Sequence, residues 1–492
     1  MRRRLFLCAA ILVVLLPGSA QAQQKLRVVV VDHVDTTLRA AAYGLLVPDA
    51  GPETSAARAR AALVRGELRN SLRGGLPSGP VRIRISHELR APAIFVELPT
   101  GGTQPNDRRY YLEVVAPGFD GLLTSDSTRI PGLVSIADIA PTARGEEGRL
   151  GSQPSVNPLD ELRALDERID DNGTARVPAA AIATALVLGF ALFFPRAAIL
   201  GLAAALGTNV VLGATGVSEP WVVWLIVGVA VAIGGTALAS VARSRVAVGL
   251  VLVAVLAAYL VAMAIDQSWI ALSPLGPTQN ARFYGLSNLL ETMLLVPALA
   301  GAALLARRFG PLAFVATAAL AVATIALSRF GADAGGALVL GAGYGALAVA
   351  LLGGGRRALV AGVAGAIALA GGVLFVDAHL GPSTHVGRSV GGGAGGVLSD
   401  LADRVVLSWE RATAGWGVGL VVAVAILAFV LLVSRLPRLG LGREGRALLL
   451  SFAVAIAASL VVNDSPLEVA VLGVVGYAAL ERYLLRLDLA AR

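Results

Sequence analysis

From Val177 onward the chain is a succession of apolar runs separated by short loops that hold most of the charge. Each run is close to the roughly 20 residues an α-helix needs to cross a bilayer. Lipid offers no hydrogen bonds to an open backbone, so such a chain must form helices that satisfy their own amides and pack as a bundle. Eleven candidate spans start near Val177, Ala197, Trp221, Val246, Leu289, Pro311, Gly335, Ala358, Trp416, Ala447 and Leu467. The second is Gly-rich and interrupted by Thr208 and Asn209. The composition agrees: 56% hydrophobic and 15% charged residues over 492 positions is too apolar for a water-soluble fold.

The net charge of +8 does not point to nucleic acid, because the arginines sit in small groups between apolar runs rather than in one basic tract. Alternate loops carry Arg196, Arg243, Arg245, Arg307, Arg308, Arg356, Arg357, Arg435, Arg438, Arg443 and Arg446, followed by Arg482, Arg486 and Arg492 in the tail. The intervening loops carry only Arg282, Arg329, Arg388, Arg404 and Arg411. By the positive-inside rule the first set is cytoplasmic, which puts the N-terminal region outside and the C-terminus inside a bacterial plasma membrane. The N-terminus agrees independently. "MRRRLFLCAAILVVLLPGSAQA" has a basic start, a short apolar core and Ala20-Gln21-Ala22, and reads as a secretory signal peptide (1–22), the alternative being an uncleaved first helix.

Residues 23–150 read as a small extracytoplasmic α/β domain. "KLRVVVVD", "VRIRISH", "AIFVELP" and "RRYYLEVVAPG" have strand character, and "ETSAARARAALVRGELRNSL" has helical spacing with Thr54 or Ser55 as its cap. Residues 151–176 read as a juxtamembrane linker. Within it "NPLDELRALDERID" sets Leu159, Leu162, Leu165 and Ile169 on one face, to lie along the membrane surface or the α/β domain. The helical bundle follows over 177–484 and a cytoplasmic tail over 485–492. The expected fold is thus an α-helical polytopic membrane protein of about eleven transmembrane helices with a small N-terminal α/β domain.

Absences narrow the chemistry. Cys8 is the only cysteine and lies in the signal peptide, so a cleaved chain has no thiol. Lys25 is the only lysine, which rules out a P-loop and leaves almost no scope for Schiff-base chemistry. No cofactor is expected.

The polar residues fall on one side. "GPTQNARFYGLSNLLE" (276–291) lies between the fourth and fifth candidate spans, on the outer face, and carries Asn280, Arg282, Tyr284, Asn288 and Glu291. Asp333 and the long 379–411 loop with His379, His385 and Arg388 fall on the same face, as do Asn463 and Asp464. Taken singly these have plain readings: a snorkelling arginine, a helix cap, a loop histidine, a two-helix turn. Together, arginine, amide, histidine and carboxylate beside helix entrances suit a phosphate or sugar headgroup. Arg282-Phe283 recurs as Arg329-Phe330 and Arg307-Arg308 as Arg356-Arg357, a weak internal echo. The stretch around Arg282 is expected to dip toward the bundle rather than lie free in water.

"GLLTSDSTRIPGLVSIADIAPTA" resembles a segment of the alkaline phosphatase and sulfatase superfamily, through Val134, Asp138, Ile139, Ala140, Pro141 and Thr142. "RVVVVDHVD" resembles that superfamily's first strand, which ends in a metal-binding aspartate. The resemblance implies Asp32, with His33, as the metal position if there is one. The sequence departs from the superfamily, however: between residues 36 and 120 it offers one histidine, His87, and no second metal cluster. A reduced, inactive relative is the expectation. The whole arrangement also resembles a family of uncharacterised bacterial polytopic membrane proteins, a likeness that implies no activity.

Four functions remain open on the sequence. The leading expectation is an envelope protein that binds or translocates a lipid-linked anionic substrate, such as a polyprenyl-phosphate glycan, so that its partner is a membrane lipid or lipid-linked glycan. The second is a glycan ligase or transferase using the same donor, with His385 as base and Arg388 or Arg404 on the diphosphate. The others are a phosphoesterase centred on Asp32 and His33, and a scaffold for other envelope proteins.

Overall fold

The computed structural model describes residues 26–34, 41–49, 53–66, 92–146, 149–277, 283–327, 329–332, 334–352, 405–406, 408–413, 415–463 and 465–489, with isolated positions at 355, 365 and 372. Among the described residues nine strands come first, the expected strand VRIRISH (81–87) lying outside them: β1 Arg27–Val31, β2 Ala42–Val47, β3 Glu53–Thr54, β4 Ala93–Glu97, β5 Gln104–Pro105, β6 Tyr110–Val115, β7 Gly121–Ser125, β8 Leu133–Ser135 and β9 Leu150–Gln153. The main sheet runs β1-β4-β6-β2-β7-β9, with β8 also on β2. It is mixed: β1 is parallel to β4, whereas β4 and β2 are both antiparallel to β6.

Two short helices cover one face. In α1 (Ala56–Arg65) the Ser55 hydroxyl accepts from the Arg58 amide, and Gly66 ends the helix at φ 67°. In α2 (Ile136–Ala143) Ser135 caps and Asp138 occupies the first turn. Ala59, Leu63, Ile136 and Ile139 pack there on Leu46, Ile94, Val114 and Leu123.

The other face is covered from further along the chain. The acidic stretch and the first apolar run form one helix, α3 (Pro158–Phe193), so the expected linker is occupied by β9 and the first turns of α3. Pro158 at the first turn costs no hydrogen bond, and Asp160 and Glu161 suit the positive end of the dipole. Leu162 and Ile169 are buried against Val29, Tyr43, Leu45 and Phe95 of the sheet, with Leu159 and Leu165 beside them. Arg109, just before β6, is clamped to Asp166 and Asp170 of α3. Ala271, Leu272 and Phe283, from the loop between bundle helices, complete the same cluster. The sheet therefore roofs one end of the bundle.

The bundle continues with α4 (Pro195–Thr215), α5 (Pro220–Val241, with a π-helical turn over Ala230–Gly234), α6 (Arg245–Ile265), the short α7 (Ser268–Ala271), α8 (Asn288–Phe309), α9 (Pro311–Ile325), α10 (Ala334–Leu352), α11 (Trp416–Ser434), α12 (Arg443–Val462) and α13 (Pro466–Leu489). Among the described residues eight helices are long and apolar enough to cross a membrane, against the eleven expected. Of the other three, α9 is apolar but only 15 residues long. The 24-residue α13 carries enough charge to miss that standard. The run from Ala358 lies outside the described residues.

The Gly-rich α4 is the hub of the first half, not its weak member. Asn209, 1% exposed, is fully used. Its amide nitrogen donates to Tyr259 Oη (3.2 Å) and Ser273 Oγ (2.9 Å), and its Oδ1 accepts from the Leu275 amide (3.0 Å). Gly213 is required by closeness alone, since a Cβ there would meet the Trp269 carbonyl oxygen at 1.6 Å. The residues that interrupt the apolar pattern are the ones that fasten α4 to the 270–275 segment.

The two ends of the bundle differ. At the end far from the sheet, Arg307 pairs with Glu444 (2.9 Å), Arg245 with Asp488 (3.6 Å), and Arg443 donates to the carbonyls of Ala350 and Leu351. The described arginine-rich loops thus share one end, and the sheet occupies the other.

Candidate functional site

At the sheet end α3 presents a ladder of polar side chains, one per turn, to the segment 271–277. Arg168 donates to the carbonyls of Gly213 (2.5 Å) and Leu272 (3.1 Å), and Asn172 donates to Leu272 (2.9 Å). Arg176 donates to Gly276 and is 3.4 Å from Glu468 in the first turn of α13. The spacing of four residues sets all three on one helix face. Arg176 is 7% exposed and Asn172 8%, so both are held away from bulk water.

Between this ladder and the facing segment lies a small cleft with a cavity volume of about 20 Å³. Its walls are Ile169, Ala271, Leu272, Pro274, Pro277 and Phe283, and Asn172, Gly173 and Arg176 line its polar side. Asn172 Oδ1 is buried there without a hydrogen-bond partner, and so is Arg168 Nε nearby. A buried amide oxygen without a partner is costly, and native folds keep few of them without a use.

A second polar group joins helix ends beside Arg176. Ser287 caps α8, accepting from the Leu290 amide (3.1 Å), while its hydroxyl donates to the Leu275 carbonyl (2.7 Å). Asn288 donates to Ser465 (3.1 Å), just before α13. Glu291, wholly buried in the first turn of α8, accepts from Asn463 at the end of α12 (2.9 Å), and Asn463 also donates to Ser459 (2.8 Å). Asn463, which reads in sequence as a plain two-helix turn, is a partner of the buried carboxylate.

The segment before α8 is not free in water where it is described. Phe283 is 1% exposed, in the seam between sheet and bundle. The ring of Tyr284 lies under Arg129 of the α/β domain, 4.3 Å from the guanidinium carbon to the ring centroid. Gly285 is required twice over: its φ is 77°, and a Cβ would meet the Gly331 carbonyl oxygen at 2.2 Å. Leu286 donates its amide to that oxygen (2.9 Å), and Gln267 donates to Arg329 O (2.5 Å). The two stretches that echo each other in sequence are thus packed together.

Of the residues singled out from sequence, Tyr284, Asn288 and Glu291 are placed at the sheet end, in contacts to the α/β domain, α13 and α12 respectively. Asn280, Arg282, Asp333, His385 and Arg388 lie outside the described residues, as does Arg404. Arg168, Asn172, Arg176 and Glu468 were not singled out. Arg176, standing at the threshold of an apolar run, carries the one signal that could have found them, because a charge is expensive there.

In the α/β domain Asp32 and His33 follow β1 and are exposed, and the next amide, Val34, donates to Glu97 Oε1 (2.7 Å). No group of three or more His, Cys, Asp or Glu that could hold a metal occurs among the described residues. Asp138, 1% exposed, accepts from Ser125 Oγ (2.5 Å), Ser127 N (3.0 Å) and Ser127 Oγ (2.8 Å). Thr142 Oγ1 donates to the Asp138 carbonyl (2.7 Å). Asp138 thus ties the 125–128 turn to α2, whereas the Thr142 bond is internal to that helix.

No family model matches the chain, and no curated protein or solved structure matches it significantly.

Proposed function

We propose that the chain is an integral membrane protein of the bacterial cell envelope that binds or translocates a lipid-linked anionic substrate, of the polyprenyl-phosphate glycan kind, at the sheet end. The α/β domain is extracytoplasmic, the arginine end is cytoplasmic, and the spans number eleven when α9, α13 and the run from Ala358 are included. The observation that carries the reading is the cleft beside α3: apolar walls with Arg176 and an unpartnered Asn172 oxygen at its polar side. An apolar slot with a few convergent polar groups is the usual form of a ligand site, and this small one suits the charged head of an amphiphile whose tail lies outside it. The boundary is consistent, since Trp221, Trp409 and Trp416 stand exposed near the sheet end, as in an interfacial aromatic belt.

The test is binding of a polyprenyl phosphate to the full-length protein in lipid nanodiscs. Arg176→Ala is expected to weaken binding about tenfold or more, since hydrogen bonds to a charged group contribute ~1.5–3 kcal/mol. Arg307→Ala, at the opposite end, is the control that leaves binding unchanged. Equal binding by the Arg176 variant, or by a polyprenol without phosphate, would overturn the proposal.

A further inference from the structure

A second set of polar groups lies in the opposite half of the bundle, on α13. Glu481 is 7% exposed, and its Oε2 is buried with no hydrogen-bond partner. One turn earlier on the same helix face, Tyr477 is fully buried, and its hydroxyl is likewise unpartnered. The ring of Tyr477 meets Phe429 of α11 edge-on, with centroids 5.6 Å apart, so this face is closed by α11. Counting back from Leu489 at ~1.5 Å per residue puts Glu481 about 12 Å inside the helix end. A carboxyl group left without a counter-ion contact at that depth is expensive unless it is used.

The surroundings select what it can bind. Arg435, just past the end of α11, and Arg482, next on α13, are the charged groups near enough to act on it. Several other described cations at this end are engaged elsewhere. Arg196 of α4 and Arg245 of α6 lie beside Tyr483, and Arg307 of α8 pairs with Glu444 of α12. Arg443 of α12 holds α10, and Arg308 of α8 lies over Phe309. The lower half of α3 has no charged residue. Among the described residues no group of three or more His, Cys, Asp or Glu surrounds it to hold a metal cation, whereas a proton needs only the carboxylate.

We propose that Glu481 is a proton-binding site at the arginine end, and that the Tyr477 hydroxyl, one turn away on the same helix face, influences its proton affinity. The carboxylate takes a proton from hydronium at that end and leaves water. On release the O–H bond breaks, the proton returns to water, and no electron moves. The charged form attracts Arg435 and holds α11 against α13, and the neutral form lets Arg435 go. Proton binding is thereby linked to how firmly α11 is held, and any cargo moved by the bundle can draw on that linkage. This inference stands apart from the substrate reading at the sheet end.

The test uses the full-length protein in lipid nanodiscs and dicyclohexylcarbodiimide, a lipid-soluble reagent that reacts with carboxylic acids and not with carboxylates. The acid O–H adds across one C=N bond, its proton going to nitrogen and its oxygen to carbon, and the acyl group then shifts to nitrogen. Peptide mapping by mass spectrometry is expected to find the adduct on Glu481, with a rate that falls about tenfold per pH unit above the midpoint. Tyr477→Phe is expected to move that midpoint without changing the thermal unfolding temperature. No adduct on Glu481 at any pH, or a pH-independent one, overturns the proton site on the wild-type protein alone. An unmoved midpoint in the Tyr477 variant removes that residue from it.

Discussion

The two faces of the sheet are built from different parts of the chain. One is closed by α1 and α2, whose apolar residues lie between or just after the strands they cover. The other is closed by the front of α3 and by Ala271, Leu272 and Phe283, brought in from between bundle helices. The first face is a local solution to burying a strand surface. The second makes the α/β unit inseparable from the membrane part, because Tyr43, Leu45 and Phe95 have no cover until the bundle supplies it. A domain that reads as an independent module is the roof of the cleft beneath it.

Removing the second face altogether should have the largest effect. Residues 26–153 expressed alone would expose a contiguous apolar patch and are expected to aggregate, whereas a fragment running to residue 171 should recover some soluble material. Gel filtration of the two fragments decides this, and a stable monomer of the shorter one would break the comparison.

Next comes a matched pair of truncations in the full-length protein. Phe283→Ala and Leu63→Ala each remove a buried side chain, at a cost of about 3–5 and 2–5 kcal/mol respectively. Their location should distinguish them. Hydrogen exchange is expected to rise over β2 and the front of α3 in the Phe283 variant, and over α1 in the Leu63 variant. Identical exchange patterns would mean that the two faces open as one unit.

The smallest effect is at the seam's edge. Tyr284→Leu keeps apolar bulk but removes the stack with Arg129, for a loss of about 0.5–1 kcal/mol. A thermal melt of the protein in nanodiscs would show it as a small downward shift, and a loss as large as that of Phe283→Ala would mark Tyr284 as a main anchor.

Some of the sheet-end cluster was legible because cost shows in sequence. Glu291 and Asn288 stand out as polar residues at the start of an apolar run, and the structure pairs them with Asn463 and Ser465. Arg168 and Asn172 do not stand out, since in the acidic stretch 157–170 and just after it they read as ordinary solvated positions. Their partners are backbone carbonyls about 45 to 100 residues away, and a carbonyl has no residue type to search for. Asp138 shows the same limit, since its residue type does not say that it accepts from Ser125 and Ser127.

What the sequence determined by itself is whatever each residue carries locally. Hydropathy marked most of the spans, because twenty apolar residues can be satisfied only in lipid or a core. Arginine spacing sorted the loops into two sets, and the leucine periodicity from Leu159 to Ile169 marked the face of α3 that now packs on the sheet. Only the tertiary structure decided what that face would meet, that α3 would run unbroken from roof to bundle, and that Asn209 would be a fastening and not a flaw. The reason is that a helix face states how much it must bury, whereas its partner depends on which surfaces, some more than a hundred residues distant, fit it in shape and hydrogen bonding.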